Sequence, residues 1–298
     1  MCCELIKRWN AETMKPQVDL PESAKAERAS QDDARNDGVH EIVKDVAYKQ
    51  LAIVNVIFVG LPGCGDGRWL LIDTGVVGAA EIIKSTARAR FGETGKPAAI
   101  ILTHGHFDHV GSVAALAREW RVPVYAHSAE HPYLNGSRPY EAPDPSVGGG
   151  LIAMISPLFP TGPLDLTGHL HGLPADNSVP HMQGWRWIHT PGHSPGHVSL
   201  WRQSDAFLIA GDAFVTTRQE SIYAAVTQAP EMHGPPAYFT PDWESAQRSV
   251  VSLALLAPEI VVTGHGAAMS GPLMRAALNN LAEHFDAIAV PPHRRAGN

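Results

Sequence analysis

Three histidines and an aspartate lie within six positions in Thr103-His-Gly-His-Phe-Asp-His-Val-Gly111, at the end of the apolar run Ala98–Thr103. Neutral imidazole is the commonest protein metal ligand near neutral pH. Crowding His104, His106, Asp108 and His109 onto one turn wastes solvation unless a cation holds them together. The four groups are also too close along the chain to wrap one tetrahedral ion comfortably, so two divalent ions are expected here. The alternative is a solvated histidine-rich loop.

Three further motifs carry ligand-type residues beside glycine at expected strand ends: Thr190-Pro-Gly-His-Ser-Pro-Gly-His197, Ala210-Gly-Asp212 and Thr263-Gly-His-Gly266. Glycine lets a tight turn bring a side chain to a metal without steric cost. One such motif is weak; four in one chain make a site.

The rest of the pattern is α/β. Leu51–Val59, Trp69–Thr74, Ala98–Thr103 and Val122–Ala126 read as strands, with helices over Ala79–Phe91 and Ser112–Trp120. Trp185–His189, His197–Arg202, Ala206–Ala210 and Glu259–Thr263 read as a second set of strands. Helices are expected over Asp242–Leu256 and Pro272–Ile288. Ligands then fall at carboxyl ends of strands, where α/β folds place their sites. Residues 1–38 are polar and lack apolar periodicity, so they read as a flexible arm, or one docked on a partner subunit, ahead of a single domain over 39–298. The Pro- and Gly-rich stretch His131–Gln183 reads as a long functional loop, and Ala213–Thr240 as a second pocket wall.

Composition bounds the function. The net charge is −7 over 298 residues, which speaks against nucleic-acid binding. No apolar run reaches the roughly 18–20 residues of a membrane span, and the N-terminus lacks a secretory core. A cytoplasmic protein acting on a small molecule is expected, with a homodimer left open. Cys2, Cys3 and Cys64 are too few for a disulfide framework.

These motifs resemble the metallo-β-lactamase superfamily, whose pattern is His-x-His-x-Asp-His followed by distant His, Asp and His. The resemblance runs from about Val39 to the end of the chain. It implies a four-layer αβ/βα sandwich. It also implies that His104, His106 and His193 hold one metal, that Asp108, His109 and His265 hold the second, and that Asp212 bridges them. Zinc suits such all-N/O ligation, which also permits manganese, iron or cobalt. By the same resemblance Asp73 braces the ligand turn, and the reaction is attack of a metal-bridging hydroxide on a small ester, lactone or thioester. Asp108 would bind metal and pass a proton to the leaving group.

Thr103 and Thr190 are expected to hydrogen-bond the ligand loops and Phe107 to line the pocket. His197 and His127 read as structural, and His169 and His171 as solvated or carried on the long loop. Asp212 tilts the reading away from true β-lactamases, in which the bridging aspartate is typically missing, although a β-lactam-hydrolysing enzyme remains an alternative. Only one helix and a tail follow His265, unlike the helical domain of glyoxalase II-like enzymes. Lactonases of the superfamily place a tyrosine soon after the bridging aspartate. Here Ala213, Phe214 and Val215 stand there, and the first tyrosine is Tyr223. A mononuclear iron enzyme of the persulfide-dioxygenase type is a second alternative, against which the complete second ligand set speaks.

Overall fold

In the computed structural model the described residues are 20, 24–25, 38–92, 94–148, 150–220 and 230–295. Strict alternation along the strands builds two packed sheets. In β3 (Val54–Val59), Val56 and Phe58 face one core while Ile57 and Val59 face another. The same split divides Leu71 from Leu70 and Ile72 in β4 (Leu70–Ile72), and Ile100 from Ala99 and Ile101 in β5 (Ala99–Ile101). In a strand, successive side chains point to opposite faces, so a strand buried on both sides reads as a continuous apolar run.

The first sheet runs β1 (Val39–Val43), β2 (Val46–Leu51), β3, β4, β5, β6 (Val124–Ala126) and β7 (Leu170–Gly172) in spatial order. Its first three pairings are antiparallel and its last three parallel. The second sheet orders β12 (Met269–Ser270), β11 (Ile260–Thr263), β10 (Phe207–Gly211), β9 (Val198–Arg202) and β8 (Trp185–His189). The inner core joins Ile57, Ile72 and Ile101 of one sheet to Leu200, Phe207, Ile209 and Val262 of the other. The helices Ala80–Phe91 and Val113–Trp120 cover the outer face of the first sheet. The helices Trp243–Ala254 and Gly271–Glu283 cover that of the second. The result is the expected four-layer αβ/βα sandwich.

Several boundaries differ from the sequence reading. The run Leu51–Val59 is broken after Leu51 by a two-residue turn, with Leu51 pairing Val54. Ala52 sits there at φ 60°, a conformation that alanine rarely adopts, so no turn residue announces it. The final helix stops at Glu283 and restarts as Phe285–Ile288. No Pro or Gly marks that break. It turns Phe285, fully buried, into the core near Trp243. The stretch 131–183 carries short helices at His131–Leu134 and Leu151–Ile155 and supplies the edge strand β7, on which His171 is exposed.

Leu20 and Ala24, within the segment expected to be an arm, are buried against the second sheet's helical layer. The Leu20 N–H donates to the Pro230 carbonyl at 3.1 Å. Apart from Lys25, which pairs with Met269, the rest of residues 1–37, including Cys2 and Cys3, lies outside the described residues, as does Tyr223. Among the described residues no helix is long and apolar enough to cross a membrane.

Candidate metal centre

Strands β4, β5, β8, β10 and β11 all end at one rim of the sandwich, and each delivers a polar residue there: Asp73, His104, His193, Asp212 and His265. The rim is stitched across the two sheets by Val198 N–H to the Thr103 carbonyl (2.9 Å) and Asn55 N–H to the Gly264 carbonyl (2.7 Å). All seven candidate ligands are buried, none more than 5% exposed.

The structure brings those seven together. Donor atoms of His104, His106 and His193 lie within 4.8 Å of one another, as do those of Asp108, His109 and His265. His104, His109 and Asp212 form a third such group. Asp212 Oδ2 lies 3.4 Å from His193 Nε2, 3.4 Å from His109 Nε2 and 3.1 Å from His265 Nε2. It therefore stands between the two three-residue sets. His106 Nδ1 and His193 Nε2 are 2.9 Å apart, and His265 Nε2 is 3.5 Å from Asp108 Oδ2.

The distal ring atoms are held so that the inner ones converge. His109 Nδ1 meets Asp73 Oδ2 at 2.8 Å, and His104 Nδ1 meets Thr103 Oγ1 at 3.1 Å. His193 Nδ1 meets Thr240 Oγ1 at 3.1 Å, and His265 Nδ1 faces the Ile53 carbonyl. Orienting partners of this kind accompany most metal-bound imidazoles. Meanwhile His104 Nε2, His109 Nε2 and Asp212 Oδ1 are buried without a hydrogen-bond partner. Burial of unpaired polar atoms costs on the order of 1–3 kcal/mol each. Orphaned donor atoms converging beside two carboxylates fit divalent ions.

The electrostatics agree with that fit. Burial, reinforced by neighbouring histidines, holds His104 and His193 well below the ordinary imidazole value and His106 at about 3, leaving their lone pairs free. Burial also opposes the charged form of His109, but Asp212, Asp73 and Asp108 outweigh it and hold that ring well above its usual value.

The supporting residues fall as follows. Asp73 accepts the Thr103 N–H at 2.8 Å and its hydroxyl at 2.7 Å, from a backbone at φ 58°. Thr190 Oγ1 meets His197 Nδ1 at 2.8 Å, and His197 Nε2 accepts the Asp212 N–H at 2.8 Å. His197 thus fixes the Asp212 backbone. His127 lies outside the clustered donor groups and stacks on His189 with ring centres 4.2 Å apart. Phe107 packs near Phe159 and Phe239. A cavity opens over His106 and His193, walled by Tyr133, Tyr140, Tyr238 and Phe239, with Asp144 and Arg294 at its lip. Arg294 and His293 both contact Asp144, at 3.0 and 3.1 Å.

Asn55, Glu130, Tyr140 and Thr240 support this rim and were not singled out in the sequence. Asn55 was visible as the one polar residue in an apolar strand. Its amide donates to the carbonyls of Thr263 and Gly266 at 3.0 and 2.6 Å, bracketing His265. Nothing local distinguishes the other three.

The profile of the metallo-β-lactamase superfamily matches residues 51–265. A Bacillus subtilis protein named probable metallo-hydrolase YflN is 46% identical over 248 residues, covering 83% of this chain and 94% of its own. A Haemophilus influenzae hydroxyacylglutathione hydrolase, GloC, is 26% identical over 113 residues, 38% of this chain and 48% of its own. Among solved structures, a β-lactamase domain protein from Burkholderia ambifaria shares the fold at 19% identity with a TM-score of 0.60, covering 91% of this chain and 80% of that one. By the extent of the profile match and the identity to the Bacillus protein, this chain belongs to the metallo-β-lactamase superfamily.

Proposed function

We propose that the chain is a two-metal hydrolase of a small acyl compound: an ester, lactone or thioester. The observation that carries this reading is the pair of three-residue donor sets, His104/His106/His193 and Asp108/His109/His265, meeting at Asp212. Each set is the complement expected for one ion, and the all-N/O donors suit zinc. The names of the Bacillus relative and of the more distant hydroxyacylglutathione hydrolase support the same reaction class.

When bound, two divalent ions supply Lewis acidity for an acyl carbonyl and lower the pKa of water toward about 7. The chain's own residues do the rest. Phe239 stacks over His106 at 4.6 Å, and with Tyr238 it walls the cavity against Ile152, Phe107 and Phe159. That apolar wall seats the hydrocarbon part of the acyl group and excludes water. Asp108, with Oδ2 facing His265, is the group to carry a proton to the leaving oxygen or sulfur.

The test is metal content together with turnover of lactones, thioesters and simple esters, with and without chelator. Two ions per chain and chelator-sensitive hydrolysis are expected. Chelator-insensitive turnover, or a single tightly held iron, would overturn the reading.

A further inference from the structure

Glu130 is fully buried, and its carboxylate joins two chain segments that are remote in sequence. Oε1 accepts the Gly196 N–H at 2.7 Å and the Ser194 hydroxyl at 2.8 Å. Oε2 accepts the Gly105 N–H at 2.9 Å and the Tyr140 hydroxyl. Gly105 lies between His104 and His106, and Ser194 follows His193. One carboxylate therefore grips both turns that present the first set of ligands.

The glycines show that the turns are built around this side chain. A Cβ on Gly196 would stand 2.7 Å from Glu130 N and 2.8 Å from its Cγ. A Cβ on Gly105 would stand 2.4 Å from the Tyr140 hydroxyl and 3.3 Å from Glu130 Oε2. Tyr140 is itself stacked on Tyr133, with ring centres 3.9 Å apart, and lies 4.6 Å from the His106 ring.

We propose that Glu130 is the positioning residue of the first metal subsite, setting the distance between the 104–106 turn and the 193–196 turn at which His104, His106 and His193 converge. This inference rests on the two-metal reading above. The chemistry singles out glutamate. Hydroxyls can rotate to donate or accept, but backbone N–H groups only donate, and each carboxylate oxygen faces one. A glutamine in either flip would point its NH2 at one of those N–H groups and break that bond. Aspartate is one methylene too short to reach both turns from the same backbone.

The experiment is cobalt(II) titration of the metal-free protein, followed by visible absorption and equilibrium dialysis. Wild type is expected to take up two equivalents. Glu130→Gln should weaken the equivalent held by the three histidines by about 10- to 100-fold, as loss of an orienting partner does. The other equivalent should keep its affinity. Asp73→Asn, which touches both His109 and the Thr103 turn, should by contrast weaken that other equivalent as well. Two wild-type-like equivalents in Glu130→Gln, or equal loss of both, would overturn the proposal while leaving the two-metal reading intact. Failure of wild type itself to bind two ions would overturn that reading instead. Should Glu130→Gln not fold, Ser194→Ala and Tyr140→Phe each remove one hydroxyl and keep both backbone donors. Each should weaken the same equivalent by a smaller factor, and unchanged affinity in both would overturn the proposal.

Discussion

Asp73 Oδ2 meets His109 Nδ1 at 2.8 Å while the same carboxylate takes both the N–H and the hydroxyl of Thr103. A single side chain thus orients one ring of the second ligand set and fixes the backbone from which the first set departs. Asp73→Asn keeps the volume but supplies an NH2 to one side of a purely accepting site. Metal affinity should fall by about 10- to 100-fold, with hydrolysis falling in step. Calorimetric metal titration checks this, and an Asn variant that binds as tightly as wild type would refute the bracing role.

Gly264 leaves no room for a side chain. A Cβ there would stand 2.0 Å from Asp212 Oδ1 and 2.8 Å from His109 Cε1. The backbone cannot retreat easily, since Gly264 donates to the Gly211 carbonyl at 2.8 Å and accepts from Asn55 at 2.7 Å. Gly264→Ala should therefore displace Asp212, losing metal at stoichiometric concentration and costing about 1–3 kcal/mol from overpacking. Gly168→Ala, with nothing within 4 Å of its Cβ, should do neither. Unfolding curves and metal analysis of the two variants decide the matter.

Much of this was legible in the chain because the relevant interactions are local or periodic. The strand runs alternate between two cores, and the ligand motifs sit beside glycines at strand ends. The illegible parts depend on contacts between distant segments. The turn at Ala52 is imposed by Leu51 pairing Val54, not by a turn residue. Strand β7 forms because β6 offers an open edge to Leu170–Gly172, a stretch with no strand pattern of its own. Glu130 ends the short helical turn Ser128–Glu130, and its role appears only when residues 105, 140, 194 and 196 surround it.

His197 gives the metal-free protein a pH dependence of defined sign. Its Nε2 accepts the Asp212 N–H, so a protonated ring would lose that bond. Burial lowers its pKa to about 4; the Asp212 carboxylate pulls the other way without prevailing. An unfolded imidazole titrates near 6.5. Between about pH 6.5 and 4 the unfolded chain takes up a proton that folded His197 does not, so its contribution to stability falls as the solution is acidified through that window. The full difference is about 3 kcal/mol. Urea unfolding in chelator, from pH 7 down to pH 4, should show that His197→Asn removes about one linked proton from the slope. An unchanged slope would contradict the assignment.

Asp242 separates the stability of the fold from that of the site. Its carboxylate caps the helix Trp243–Ala254 by accepting the Ser245 N–H at 3.0 Å. Partial burial raises its pKa, yet the hydrogen bonds from Ser245 outweigh this and hold it below the usual carboxylate value. The cap's electrostatic part is therefore present above the unfolded value near 3.9 and is lost as pH falls through the folded one. Asp242→Ala should cost about 1 kcal/mol with metal affinity unchanged, because no candidate ligand hydrogen-bonds this carboxylate. Asp242→Asn, an equally good cap, should retain the stability at neutral pH and lose its acid dependence. Thermal unfolding at pH 7 and pH 3.5, paired with metal titration, tests both variants. A parallel loss of metal in Asp242→Ala would show that the helix start, which reaches Gly192 through the Asp242 N–H at 3.3 Å, also sets the position of His193.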